Sequence, residues 1–493
     1  MRSQLNRITQ LARAGALAQA WALFEAGGPH APGSADDPDT LSVYGRLLKD
    51  RAAREQGPLR DELLNSAIAA YRRASDLSHA TYPLINAATL AFLAGRHEQS
   101  RSLATQTIAL LDSLTYAPET PYWLTATRAE AMLLLGRRDE AEALLGRAVR
   151  HQPDAWEDHA STLRQFALIL KAGGSSDAWL NRFRPPPCLH FDGILGIAAD
   201  DAACRDRIGE RIAALAPGSA FGALAAGADI LAAEAVVQAG GHLHAVLPCP
   251  PDIFRETSVR PSGADWEERY DRLLDAAASL LILDGCQTPS DASIAIAREA
   301  AMGLTLRESQ RLQTSVGALR MRVADERGAP ASDTYWERLA LPLHTLWVER
   351  SDPHGIALPS HAEAQALLAL PTALETEVPP DGAPIRAARH EGRSILTYAG
   401  LTGAAEVAAA LAARHPEARL GLDYRAGAAG TDPQPYWNRA RDLATSRLTG
   451  AVALSETAAL ALALQKPETN VQPMGDIRLP TGDLPLYVLF PEG

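Results

Sequence analysis

The sequence predicts a multidomain chain: all-α helical repeats, then an α/β domain built on a parallel sheet, then a small, truncated α+β domain. Three observations carry that prediction. Residues 1–172 are rich in Ala and Leu, poor in strand signals, and repeat a Gly-Arg phrase. Residues 188–348 alternate short apolar runs with helical patterns, as a mostly parallel sheet with helices on both faces does. The last hundred residues resume strands and helices after a stretch rich in Pro, Ala and acidic residues. The expected division is 1–184 helical repeats, 185–349 parallel-sheet domain, 350–389 linker with a helix at His361–Leu370, and 390–493 small α+β domain.

Composition narrows the partners. A length of 493 residues suits about three domains. A formal net charge of −12 without a dense basic run argues against nucleic acid. The start, MRSQLNRITQLARAG, lacks the apolar core of a signal peptide, and no 18-residue apolar span is present, so a cytoplasmic protein without membrane contact is expected. Cys188, Cys204, Cys249 and Cys286 show no CxxC spacing and read as reduced, semi-buried thiols.

In the helical part, Gly95-Arg96-His97-Glu98 returns 41 positions later as Gly136-Arg137-Arg138-Asp139. Leu103, Ala104 and Ile108 then correspond to Leu144, Leu145 and Val149, and a fainter copy starts at Gly15. The pattern resembles the tetratricopeptide repeat, with the extra residues of each period in the connection Ala117–Pro121. The resemblance implies stacked helix pairs with a concave face for a protein partner; a plain bundle packing the next domain is the alternative. Arg182–Pro187, with its PPP, is a stiff boundary where helix cannot continue.

The parallel-sheet domain is organised around Ser219–Pro250, SAFGALAAGADILAAEAVVQAGGHLHAVLPCP. It reads as strand, small-residue turn, helix ending at Gly240–Gly241, and second strand. Small residues before Asp229 let a ligand reach the backbone N–H groups at a helix N-terminus, where the dipole favours phosphate; equally, they permit close helix–sheet packing. A loop at Pro251–Pro261 is expected to leave from the same sheet edge, bringing Arg255, Thr257 and Ser258 to the phosphate. The candidate nucleotide-binding residues are therefore Gly222, Ala226, Gly227, Asp229, Arg255, Thr257 and Ser258.

The segment GALAAGADILAAEAVVQAGGHLHAVLP, together with Ala301-Met302-Gly303-Leu304, resembles the Rossmann-like, SLOG-type nucleotide-binding domain of bacterial tetratricopeptide-repeat signalling proteins. Phe191-Asp192-Gly193 departs from the Gly-His expected at the first strand turn, and Val323-Ala324-Asp325 matches the later Trp-Asp-Gly turn only in its Asp. Many such proteins end in a class III nucleotidyl cyclase domain. Tyr436–Ala444 is similar to that family's VNxAxRL helix, with Asn438 in the place of its Asn. Gly450–Ser455 matches its Gly-x-Ile-x-x-Ser strand, and Gly475-Asp476-Ile477 its closing Gly-Glu turn. Asp442 stands where the transition-state Arg is expected, and Ile395–Leu401 lacks the metal-binding Asp, so the resemblance implies a non-catalytic remnant that pairs with another chain, a second copy included, or packs as a regulatory cap.

Other chemistry finds less support. Gly218–Gly222 places its Ser one position early for a nucleophile elbow. His242 and His244 share a strand face as a metal pair would, without a third ligand, and otherwise read as half-exposed strand histidines. Asp284–Pro289 lacks the PGGxGT loop of nucleotide-cleaving relatives. Asp229 and Glu234 stay as candidate polar groups. No catalytic residue, metal ligand or firm cofactor is assigned. The expectation is a signalling protein that senses a nucleotide-type molecule and couples it to a protein partner; the alternatives are a nucleotide hydrolase or transferase, and a pure scaffold.

Overall fold

The computed structural model describes residues 2–13, 17–26, 37–115, 118–283, 289–324, 330–352, 361–427, 434–446, 450–479 and 482–491. The chain forms two compact units, Met1–Pro185 with Arg311–Gln313, and Pro186–Gln310 with Thr314–Gly493.

Among the described residues, the first unit holds helices α1 (Arg2–Arg13), α2 (Leu17–Ala26), α3 (Pro38–Ala52), α4 (Gly57–Ser78), α5 (Thr81–Leu93), α6 (His97–Ser113), α7 (Pro121–Leu134), α8 (Arg138–His151) and α9 (Trp156–Ala172). Asp37 starts α3 by accepting the Thr40 N–H at 2.9 Å, and Thr120 does the same for α7 through Trp123. Gly95 and Gly136 end α5 and α7 at φ 74° and 79°. In each turn the glycine N–H donates to Phe92 or Leu133, and the next arginine N–H to Ala91 or Met132. That closure needs a left-handed residue, which glycine supplies without Cβ strain. Leu103, Ala104, Leu144 and Leu145 are buried together in one core, as the repeat requires. Gly15 and Ala117 lie outside the described residues.

The second unit begins with β1 (Cys188–Asp192), α10 (Ala202–Leu215), β2 (Ser219–Gly222), α11 (Ala228–Gln238), β3 (His242–Leu247), α12 (Pro251–Ser258), α13 (Ala264–Ala276), β4 (Ser279–Ile282), α14 (Asp291–Leu312), β5 (Val316–Arg322), α15 (Ala331–Arg338) and β6 (Leu343–Trp347). The six strands pair in parallel in the order β4-β3-β2-β1-β5-β6. Leu189, Phe191, Ala220, Leu243, Leu247 and Leu319 share a core with α10, α11 and α13. Phe221 and Val246 point the other way, against Ile296, Ala297 and Ala300 of α14.

A second, mixed sheet follows: β7 (Glu363–Pro371), β8 (Arg386–His390), β9 (Arg393–Tyr398), α16 (Leu401–Arg414), β10 (Leu420–Gly427), α17 (Gln434–Leu443), β11 (Val452–Leu454), α18 (Glu456–Gln465), β12 (Val471–Leu479) and β13 (Gly482–Leu489). Its order is β12-β13-β11-β10-β7-β9-β8. Within the segment expected as a linker, β7 and the start of β8 are strands of this sheet, and the helix expected at His361–Leu370 is the strand β7, antiparallel to both β9 and β10. Its Ala-Leu composition suggests helix, but flanking strands on both edges take its backbone hydrogen bonds and override that propensity. The two sheets lie in one compact unit, because α14 shares a core with α16 and α18 as well as with the parallel sheet.

Two smaller expectations also change. Pro251–Pro261 is not a loop: α12 occupies Pro251–Ser258, with Pro251 in the first turn where its missing N–H costs nothing. Gly475 is not in a turn but at a β-bulge of β12 against β13, at φ 76°.

Candidate functional site

The small-residue turn between β2 and α11 is filled by the chain itself. Gly227, at φ 106°, faces the Ile194 carbonyl so closely that a Cβ would lie 2.6 Å from its oxygen. The Ala228 N–H donates to that carbonyl, and the Ala226 N–H to the carbonyl of Ser258, each at 3.0 Å. The Asp229 carboxylate accepts the Gly193 N–H at 2.6 Å. Gly222 abuts Phe191 in the same manner. Burial, then the charge of Asp192, pushes the Asp229 carboxyl well above the usual range. A neutral or partly neutral acid therefore occupies the helix N-terminus.

The hydroxyl and guanidinium expected beside a phosphate are placed differently. Arg255 meets Glu267 at 3.3 Å and Asp271 at 3.0 Å, both on α13. The Thr257 hydroxyl donates back to the Ile253 carbonyl at 2.8 Å, and Ser258 reaches the turn through its main chain. Glu234 is paired with Arg269. The structure brings Gly222, Ala226, Gly227, Asp229 and Ser258 together, and ties Arg255 of α12 to α13. His244 stacks on Phe221, with ring centroids 4.4 Å apart, and its Nδ1 bonds the Ser279 hydroxyl. Among the described residues no group of three His, Cys, Asp or Glu side chains has metal-binding geometry. Asp284–Thr288 and Asp325 lie outside the described residues.

A cluster that the sequence reading missed lies beside this turn. Strand order reverses between β1 and β5, where open parallel sheets leave a crevice at their carboxyl ends. There Asp192 of β1 stands directly across from Arg320 of β5. Arg320 is 4% exposed and bonds both Asp192 and Asp333 of α15. Arg298 of α14 approaches Asp192 at 3.1 Å. Burial alone would raise the Asp192 carboxyl, but Arg298 and Arg320 outweigh it and hold the group below its usual range. Next to it on β1, burial drives the His190 imidazole down to about 3, so it stays neutral; its Nδ1 lies 3.0 Å from the Phe221 carbonyl. The available sequence signal was an arginine inside the otherwise apolar run Val316–Met321.

In the mixed sheet, Asn438 of α17 accepts a hydrogen bond from His390 at 2.7 Å, and Asp442 is 1% exposed and paired with Arg441. Both are engaged within their own fold.

The helical unit carries a groove of ≈1100 Å³. It is lined by α1 through Asn6 and Thr9, α3 through Arg46 and Lys49, α4 through Arg60 and Leu64, α5 through Tyr82 and Asn86, α7 through Trp123 and Glu130, and α9 through Gln165. Glu130 accepts hydrogen bonds from Thr89 and Gln165, and burial pushes its carboxyl up to about 7.

A family model described as Tetratricopeptide Repeats-Sensor matches residues 2–91. The match covers α1 to most of α5 and supports a tetratricopeptide-repeat protein with a regulatory or interaction role. No curated protein matches the chain. Among the described residues no helix is long and apolar enough to cross a membrane.

Proposed function

We propose that this chain is a cytoplasmic signalling protein that binds a protein partner along the groove of its helical repeats. The observation that carries the reading is the groove itself: ≈1100 Å³ lined by α1, α3, α4, α5, α7 and α9, with Tyr82 and Trp123 beside polar groups of α3, α7 and α9. Repeats that stack side by side use such faces to grip extended segments. The test is binding of the full chain to an immobilised peptide array, with Trp123→Ala as the control. Capture that Trp123→Ala leaves unchanged would move the partner site elsewhere.

A second reading concerns the parallel sheet. Asp192, Arg298, Arg320 and Asp333 at the strand-order reversal support a nucleotide-type ligand there, the guanidiniums meeting phosphate and the carboxylates ribose hydroxyls. Residues Gly222, Ala226, Gly227 and Asp229 then form the wall of that crevice. Calorimetry against adenine and guanine nucleotides, ADP-ribose and cyclic nucleotides tests it; Arg298→Ala should weaken binding by about 1.5–3 kcal/mol. Turnover of a bound nucleotide would favour the hydrolase or transferase alternative, and an empty panel the scaffold.

The mixed-sheet part is read as a cyclase-like remnant without catalysis, serving a homodimer contact. Its Asn438 and Asp442 are committed to His390 and Arg441. Protein incubated with ATP or GTP and Mg²⁺ or Mn²⁺ should form no cyclic nucleotide above blank; product that disappears in Asn438→Ala would overturn this.

A further inference from the structure

The charged groups that line the helical groove differ in what they already hold. Lys49 donates to the Asn86 side chain at 3.3 Å, and Arg46 faces Asp50 at 3.6 Å. Arg60 and Arg164 each donate to a main-chain carbonyl, at 3.4 and 3.1 Å. Glu119 accepts both the N–H and the hydroxyl of Thr81. Glu130 is different. It is 8% exposed on α7 and lines the groove, yet the Thr89 hydroxyl and the Gln165 amide both end on the same oxygen, Oε1. Its second oxygen, Oε2, accepts no hydrogen bond among the described residues and is not fully buried, which leaves it accessible where Glu130 lines the groove.

We propose that Glu130 is the specificity-determining residue of the groove, and that Oε2 receives the cationic side chain of a lysine or arginine in an extended peptide of the partner. This rests on the reading of the groove as a partner-binding surface. A charged donor suits the site better than a neutral one, since the carboxylate–cation bond is the stronger kind and its partner is withdrawn from water. The surroundings fit a long basic side chain. Trp123, Thr127 and Glu130 follow one another at helical spacing along α7, and all three line the groove. An aliphatic stem lies along Trp123 while its charged end reaches the carboxylate. Asn86 and Gln165, from α5 and α9, flank the path, with the Asn86 amide held by Lys49 and Tyr82 and the Gln165 amide donating to Glu130. Thr89 of α5, Gln165 of α9 and Lys49 of α3 are the groups acting on the Glu130 carboxyl, and burial outweighs them to leave it partly protonated near neutrality. Arrival of a cation ionises it, so binding releases a proton.

The experiment uses the full chain on a positional-scanning peptide array at pH 7. Bound peptides should be enriched in Lys or Arg at one position. For one selected peptide, replacing that lysine by norleucine should weaken binding about 10- to 100-fold. Glu130→Gln should weaken the parent peptide similarly and leave the norleucine peptide unaffected, so the two losses do not add. Calorimetry in two buffers of different ionisation enthalpy should show proton release with the parent protein and none with Glu130→Gln. Glutamine keeps the size and the Oε1 acceptor, and an unchanged melting curve confirms an intact fold. Peptides that bind with no basic preference, or a preference that survives in Glu130→Gln, overturn the assignment while the groove keeps its role. An array with no bound peptide overturns both.

Discussion

Gly227 has two independent constraints, a φ of 106° and the Ile194 carbonyl in the space of a Cβ. A substitution here therefore strains the backbone before it meets any ligand. Gly227→Ala should lower stability by about 1–3 kcal/mol in a urea titration, whether or not nucleotide is present. A variant as stable as the parent would free the turn for a ligand after all. The run of small residues was visible in the sequence, but its use was not. Composition gives the small residues, whereas the backbone that fills the gap comes from Gly193–Ile194, more than thirty positions away in the chain. Arg320 presents the complementary case, since its charge inside an apolar strand is legible but its partners Asp192 and Asp333 are not. Arg320→Ala leaves the buried Asp333 carboxylate without its partner and Asp192 with Arg298 alone, and should cost about 3–5 kcal/mol. Simultaneous Arg320→Met and Asp333→Leu replacement, which leaves Asp192 paired with Arg298, should recover much of that loss.

Helix α14 links the two sheets through neighbouring residues. Arg298 reaches Asp192 at the crevice, while Glu299 next to it accepts a hydrogen bond from Gln465 of α18 at 2.8 Å. One turn further on, Gly303 packs on the Leu460 carbonyl with no room for a Cβ, so Gly303→Val should separate α14 from α18 and lower the melting temperature of the second unit. Burial pushes the Glu299 carboxyl up to about 7, against hydrogen bonds from Gln465 and Tyr424. Its folded pKa thus exceeds the unfolded value of about 4.3. The stabilisation is fully present below the unfolded pKa and is lost as pH rises through about 7. Melting temperature should fall between pH 5 and pH 8, and Glu299→Gln should flatten that fall in the second unit. In α14 the sequence reading singled out Ala301-Met302-Gly303-Leu304, which contains Gly303 but not Arg298 and Glu299. The strand β7 was not legible, because its Ala-Leu run carries helix propensity and only the adjacent β9 and β10 decide the matter.

At the scale of the whole chain, Met1–Pro185 should fold as a separate fragment, with a helical circular dichroism spectrum and a cooperative melt. An unfolded fragment would show that these helices draw their stability from the rest of the protein. The helical part was the most legible because its contacts are local: each pair of helices writes its turn and apolar stripe within a few dozen residues. Order between distant strands, as in the mixed sheet, leaves no such local record. The turns at Gly95 and Gly136 add something further. Their hydrogen bonds are the same, and each is followed by Arg and then a helix. A gene that lost the codons for residues 96–136 would join Gly95 to Arg137 and restore the junction it had cut. The repeat boundary is thereby a seam for recombination, at which unequal crossing-over lengthens or shortens the groove by whole helix pairs and leaves every surviving turn intact.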